Sequence, residues 1–179
     1  MNCRSTATAL LLLLAWVGHA HAQQARLTDE QMLGVVFVAN QAEIAAGNLA
    51  LHKTRSASLQ AFARRIVAEH GQVNQEIVAL TQAFGTQPQR SATSDASMRQ
   101  SADDLARLDE ISSYDFDEAY LDRESVYLQR LVNTVDDYIR STGSADVRTL
   151  LIRARPSYIL HLDQARRLKL TIGSPGLKR

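Results

Sequence analysis

The chain has almost no cysteine. Among its 179 residues, Cys3 is the only one, and it precedes the apolar run at residues 9–17. A lipoprotein cysteine follows such a run, so Cys3 does not indicate a lipid anchor. With no second cysteine, the chain cannot form an internal disulfide, and thiol chemistry cannot be its function once Cys3 is removed with a leader.

Proline and glycine are also scarce, with three and eight residues, and the formal net charge is only +1. The remaining composition is rich in Ala, Leu, Gln, Arg and Glu, which favour helices. A nearly neutral chain lacks the basic surface that nucleic-acid-binding proteins need, so we predict no nucleic-acid partner. Gly-rich phosphate loops, a nucleophile elbow and a Ser-His-Asp order are also missing, which argues against an enzyme.

Residues 1–22 have the pattern of a secretory signal peptide. Arg4 precedes the apolar run, and the small-x-small end Ala20-His21-Ala22 follows it. We expect cleavage near Ala22 and a periplasmic or secreted mature chain. The apolar run is about half of the ~20 residues that span a bilayer, and no later segment reads as long and uniformly apolar. We therefore predict that the mature chain has no transmembrane anchor.

Apolar periodicity in the rest of the chain predicts four long helices and a shorter one. Thr28 and Gln31 form a capping box at the start of the first helix, Gly85 ends the second, and Ser144 caps the last. Four long helices, with a loop and a shorter helix between the second and third, are typical of a four-helix bundle. The predicted helices span about 28–53, 97–111, 114–141 and 145–171, with a loop at 86–96. The second long helix is predicted to follow Ser56 or Ser58 and to end near Gly85. The domain is assigned to 23–172 and a tail to 173–179.

Two histidines lie on faces that should be buried. His70 belongs to the apolar face of the second helix and His161 to that of the last helix. A titratable side chain in a core is costly unless it has a partner, so these are the most site-like positions of the chain. The two faces are formed by Leu59, Phe62, Ile66, His70, Val73, Ile77, Leu80 and Phe84, and by Val147, Leu150, Ala154, Tyr158, His161, Ala165 and Leu168.

Distances from the interhelical turns place Glu43 in the same layer of the bundle as His70 and His161, with Glu124 or Tyr127 from the third long helix nearby. Two imidazoles and a carboxylate suit a zinc, iron or copper ion, so Glu43, His70 and His161 are the predicted metal ligands, with Tyr127 or Glu124 as a fourth. The alternative is that both histidines are neutral core residues, hydrogen-bonded to Glu43, Tyr127 or each other. Glu69 lies off the buried face and is expected to be exposed.

Several short motifs occur in the same order along the chain: Phe37-Val38 with Glu43, Phe62-Ala63 followed by Glu69-His70, Phe116-Asp117 with Tyr120, and Pro156 followed by His161. In these motifs the chain resembles the exported ferritin-like family catalogued as domain of unknown function 4142. The resemblance implies an all-α, ferritin-like four-helix bundle with a short extra helix between helices two and three. It also implies a bacterial envelope setting.

Two functions are consistent with these features. The first is a non-enzymatic binding protein or envelope-associated stress protein with an envelope partner that the sequence does not identify. The alternative is a metal-binding or metal-oxidising bundle that uses Glu43, His70 and His161.

Overall fold

The computed structural model describes residues 26–172, which form five α-helices and no strand. In chain order these are α1 (Asp29–Lys53), α2 (Ala57–Ala83), α3 (Ala92–Glu110), α4 (Phe116–Ser141) and α5 (Ala145–Ile172). The all-α prediction is confirmed. The predicted signal peptide at 1–22 and the tail at 173–179 lie outside the described residues.

Short turns at 54–56 and 142–144 join α1 to α2 and α4 to α5, so each pair packs side by side as an antiparallel hairpin. The hairpins meet through contacts of α2 with α5 and of α1 with α4, which completes a four-helix bundle. The extra helix α3 packs mainly against α1. The predicted order of helices is therefore correct.

Local capping explains where most helices begin and end. Thr28 and Gln31 form the predicted capping box, Ser56 caps α2, and Gly85 has the positive φ of 73° that favours glycine after a helix. The predicted start of α3 near Ser97 is wrong, because α3 begins five residues earlier. Ser91 caps it, and Ser94 completes a capping box with a side chain shorter than the usual Glu or Gln.

Helix α1 corrects the expectation that no segment after residues 9–17 is long and uniformly apolar. By length and composition it is apolar enough to cross a membrane, with a mean hydropathy of 1.2 in its most apolar window. However, 56% of that window is buried inside the bundle, where α1 contacts α2, α3 and α4. A helix surrounded on several sides is apolar on several sides, so the core position of α1 accounts for its composition.

The buried apolar residues form two clusters along the bundle. One contains Leu33, Val36, Ile77, Val135 and Tyr158, and the other contains Phe62, Ile66, Phe116, Tyr120 and Leu162. On α1, α2 and α5, the residues between these clusters include buried polar side chains. The expected burial of Phe84 is wrong, since it lies at the end of α2 and is 40% exposed.

Candidate functional site

A layer of polar side chains crosses the interior between the two apolar clusters. Five of these side chains have no solvent-exposed surface: Asn40, Glu43, His70, Glu124 and His161. They come from α1, α2, α4 and α5, so all four bundle helices contribute. Because burying polar groups is costly, their hydrogen-bond partners determine what the layer can do.

A chain of amides fixes the orientation of the His70 ring. The carbonyl oxygen of Phe37 can only accept, so the Asn74 side chain directs its NH2 group to it (3.3 Å) and its oxygen to Asn40. Asn40 then donates through Nδ2 to Asn74 (2.9 Å) and directs Oδ1 to Nδ1 of His70 (2.8 Å). His70 therefore carries its proton on Nδ1, and Nε2 is left as an acceptor.

The Asn40 oxygen is also the acceptor for Tyr158. The Tyr158 hydroxyl donates to Asn40 Oδ1 over 3.0 Å, which uses the second lone pair of that oxygen. The Tyr158 ring lies 5.2 Å from the His70 ring, centroid to centroid. His70 is thus held by a hydrogen bond and by ring packing.

His161 extends the chain from His70 to the edge of the bundle. Its Nδ1 lies 3.3 Å from Nε2 of His70, and the two rings stack with centroids 5.2 Å apart. Its Nε2 lies 3.0 Å from a carboxylate oxygen of Glu69, whose side chain is 36% exposed. Glu69, which was expected to be exposed, is partly exposed and also contacts the buried histidine pair.

The contacts in this arrangement outnumber the ring protons that can satisfy them. Three contacts link Asn40, His70, His161 and Glu69 in series, and both ends of the series are acceptors. Two neutral imidazoles carry only two ring protons. One of the three contacts must therefore place two lone pairs against each other unless a third proton or a metal ion lies between them.

A third proton is disfavoured at neutral pH. Burial lowers the pKa of His70 to about 4, although the nearby charge of Glu43 opposes this shift. Burial also lowers the pKa of His161, and this effect outweighs the opposite influence of Glu69. Both imidazoles are therefore neutral at pH 7, which is the form in which histidine binds a metal ion.

The carboxylates in the layer have a different partner. Nη1 of Arg123 lies 2.5 Å from Oε1 of Glu43 and 2.6 Å from Oε1 of Glu124. Burial and the charge of Glu43 raise the pKa of Glu124 well above its usual range, while Arg123 and Glu124 together lower the pKa of Glu43 in spite of its burial. One guanidinium and one retained proton thus balance two buried carboxyl groups.

The structure brings some of the predicted ligands together and separates others. His70 and His161 are in contact, whereas Oε1 of Glu43 and of Glu124 is directed to Arg123. The Tyr127 hydroxyl donates to the carbonyl oxygen of Ala39 over 3.3 Å. Within 26–172, no three His, Cys, Asp or Glu side chains are grouped closely enough to hold a metal ion together. The larger ligand set remains a prediction.

The sequence analysis gave no role to Arg123 or Asn40. Arg123 lies in an acidic stretch of α4, where an isolated basic residue reads as a surface charge, yet its side chain is only 10% exposed. The sequence signal for its burial was its position between Tyr120 and Tyr127, which were predicted to face inward. In the structure the Arg123 guanidinium carbon lies 4.3 Å from the centroid of the Tyr127 ring. Asn40 lies on the inner face of α1, and its hydrogen-bond partners on α2 and α5 are not readable from the sequence.

A family model describes most of the chain. The model of the domain of unknown function DUF4142 matches residues 17–168. The chain belongs to this family. The family resemblance seen in the sequence motifs is therefore confirmed.

Among solved structures, this DUF4142 chain is similar to CopM in the Cu(I)-bound form, with a TM-score of 0.69 and 17% sequence identity. The match covers 83% of this chain and 100% of the CopM chain. At this identity the similarity shows a shared helical fold. No protein of curated function matches the chain.

Proposed function

We propose that this protein is a non-enzymatic metal-binding protein of the cell envelope, and that it holds one transition-metal ion between Nε2 of His70 and Nδ1 of His161. The observation that carries the proposal is that the three contacts of the series Asn40–His70–His161–Glu69 share only two ring protons, so one contact joins two acceptors. A metal ion at the central contact allows both remaining ring protons to be donated outward, to Asn40 and to Glu69.

The distances support this assignment. Two imidazole nitrogens bound at about 2.0–2.1 Å to a tetrahedral ion lie about 3.3–3.4 Å apart. The nitrogens of His70 and His161 are separated by 3.3 Å. The pair therefore matches one edge of a coordination shell without moving either helix.

The outer partners support it as well. In metal sites, a ligating histidine usually donates its second ring N–H to a carboxylate or a carbonyl oxygen, which fixes the tautomer. Glu69 is in this position for His161, and the amide oxygen of Asn40 is in this position for His70. Imidazole ligands suit zinc, copper and iron, and the related fold of Cu(I)-bound CopM favours including copper in any test.

The envelope location rests on the leader at residues 1–22 and on the absence of cysteine from the rest of the sequence. The non-enzymatic part of the proposal rests on the sequence, which has no Gly-rich phosphate loop, nucleophile elbow or Ser-His-Asp order. The envelope partner and the role in stress remain predictions.

Metal titration of protein purified without a histidine tag tests the proposal. Apo protein is titrated with Zn²⁺ and with Cu⁺ by calorimetry, and the same is done for His70→Leu and for His52→Leu, an exposed histidine of α1. We expect one ion per chain for the wild type and for His52→Leu, and an affinity at least 100-fold lower for His70→Leu. Equal affinities of wild type and His70→Leu would refute the proposal.

A further inference from the structure

A groove of about 410 Å³ lies between α2 and α5, directly outside the histidine pair. Its walls include Glu69, Glu76, Arg153 and Ser157. Arg153 contacts Glu76 over 3.3 Å, so the charge of Glu76 is already balanced within the groove. Glu69 differs from Glu76 because one of its carboxylate oxygens contacts the buried His161, while the other lies beside Arg65.

Glu69 connects the groove to the buried site. Its side chain is 36% exposed, while the His161 side chain that it contacts has no exposed surface. Arg65 approaches the other oxygen of Glu69 at 4.0 Å from a side chain that is 47% exposed. A cation that enters through the groove therefore meets a Glu69 oxygen before it meets either histidine.

The contact between Glu69 and His161 is a second place where two acceptors can face each other. When His161 carries its proton on Nδ1, it donates to Nε2 of His70 and the inner contact is satisfied. Nε2 of His161 and Oε2 of Glu69 then oppose each other as two acceptors, 3.0 Å apart. Nitrogen and oxygen ligands of zinc lie about 2.0–2.2 Å from the ion, so this pair also forms one edge of a coordination shell.

We propose that Glu69 and Nε2 of His161 form an outer capture site, through which a metal ion passes from the groove to the inner site between His70 and His161. This inference rests on the proposed function. A neutral imidazole has one lone pair, so His161 serves the two sites alternately and the chain holds one ion at a time. When the ion moves inward, the single ring proton of His161 moves from Nδ1 to Nε2, where Glu69 accepts it, and the number of protons is unchanged.

The two sites should differ in exchange rate. The outer site opens to the groove, so its ion exchanges quickly with solvent and chelators. The inner site is surrounded by side chains without exposed surface, so its ion is released slowly. The rate at which the inner site takes up an ion should then depend on the Glu69 carboxylate more than on the total charge of the groove.

Stopped-flow loading of the apo protein with Zn²⁺, followed with a chromophoric zinc chelator, tests this inference. Glu69→Gln removes the capture ligand, and Glu76→Gln removes the same charge from the same groove. We expect the association rate to fall at least 10-fold in Glu69→Gln and less than twofold in Glu76→Gln. In His70→Leu, we expect weak residual zinc binding that is released at least 10-fold faster than in the wild type.

The outcomes separate the two proposals. Wild-type protein that binds no metal would refute the proposed function. Wild-type protein that loads zinc at the same rate as Glu69→Gln would overturn only the capture site. The double variant His70→Leu/Glu69→Gln gives a further check, because it should lose the residual zinc that His70→Leu retains. Residual binding that persists in the double variant also contradicts an outer site at Glu69.

Discussion

At the scale of single residues, Arg123 is the side chain on which the polar layer depends most. Its guanidinium contacts two carboxyl groups that have no exposed surface, and burial of such groups without a cation is very costly. Its own pKa is raised by Glu43 and Glu124 in spite of its burial, so it stays charged at every relevant pH. The residue is thus both a structural cation and a fixed charge near the histidines.

We predict that Arg123→Met lowers the free energy of unfolding by about 3–5 kcal/mol, because it leaves a buried carboxylate without its partner. Urea denaturation at pH 7 measures the change. Arg140→Met is the matched control, since Arg140 pairs with Asp137 on the surface and both side chains are 68% exposed. The control should change stability by less than about 0.5 kcal/mol. Equal effects of the two substitutions would show that Arg123 is not needed to bury Glu43 and Glu124.

His70 gives the protein a predictable response to acid. Its pKa is about 4 in the folded state and 6.5 in the unfolded state, so between these values the unfolded chain binds more protons. Proton binding by His70 therefore does not change stability well above pH 6.5, and it destabilises the fold progressively as the pH falls towards 4.

The substitution His70→Leu should remove this response. Measured with a chelator present, wild type and variant should differ by no more than roughly 1–2 kcal/mol at pH 7.5. At pH 5 the variant should gain about 2 kcal/mol relative to the wild type. Urea unfolding at the two pH values checks this. A difference between the proteins that does not change with pH would contradict the depressed pKa of His70.

Periodicity placed His70 and His161 in the interior, because a helix puts every third or fourth residue on one face. Counting residues from the turns placed Glu43 and Glu124 near the same level. The contact between the two histidines was one predicted alternative, but the roles of Asn40, Glu69 and Arg123 were not predicted, because hydrogen bonds between helices depend on rotamers and on the depth of each residue. Glu69 illustrates the difficulty, since it is off the buried face of α2 but long enough to reach His161 from the groove.

At the scale of helices and loops, the segment before α3 is tied closely to α1. The backbone N–H of Gln89 donates to the carbonyl oxygen of Glu30 over 3.1 Å. The loop passes so near to Gly34 that a Cβ atom at this position would lie 1.9 Å from the carbonyl oxygen of Gln89. Gly34 therefore allows the loop to pack against α1, which carries the chain to the start of α3.

We predict opposite effects for two glycine substitutions. Gly34→Ala should destabilise the protein by about 1–3 kcal/mol, because the new methyl group meets backbone rather than a movable side chain. Gly71→Ala should stabilise it by about 0.5–1 kcal/mol, because a Cβ atom there has no atom within 4 Å and alanine favours the helix. Thermal melts of both variants measure the difference. Stabilisation by Gly34→Ala would show that the loop does not pack closely on α1.

The helices themselves were largely predictable, because their signals are local. Thr28, Ser56, Gly85 and Ser144 mark ends that agree with the structure to within a residue or two. The start of α3 was missed because the Ser- and Thr-rich segment around Ser91 has the composition of a loop. A serine pair that caps a helix differs from a loop only in its backbone geometry.

At the scale of the whole molecule, the bundle consists of two apolar clusters with a polar layer between them. Burial of the apolar clusters provides the hydrophobic driving force for folding. The layer between them contains polar groups whose hydrogen bonds must all be satisfied together. The interruption occurs where the groove between α2 and α5 reaches the interior. A polar layer at that level agrees with the proposed metal site, because Glu69 in the groove contacts His161 in the layer.

The signal peptide predicted at residues 1–22 implies how the chain is processed. We expect the exported protein to begin at or near Gln23, because Ala20-His21-Ala22 precedes it. Mass spectrometry of protein recovered from the envelope fraction of the expressing cell determines the N-terminus. A mature protein that retains the apolar run at residues 9–17 would contradict processing at this position.

The proposed function requires one metal ion between the two buried imidazoles. Anomalous X-ray diffraction from crystals of the zinc-loaded protein, collected on both sides of the zinc edge, locates this ion. We expect one strong anomalous peak about 2.0–2.1 Å from both Nε2 of His70 and Nδ1 of His161. A peak only at surface side chains, with the two ring nitrogens still 3.3 Å apart and nothing between them, would contradict it.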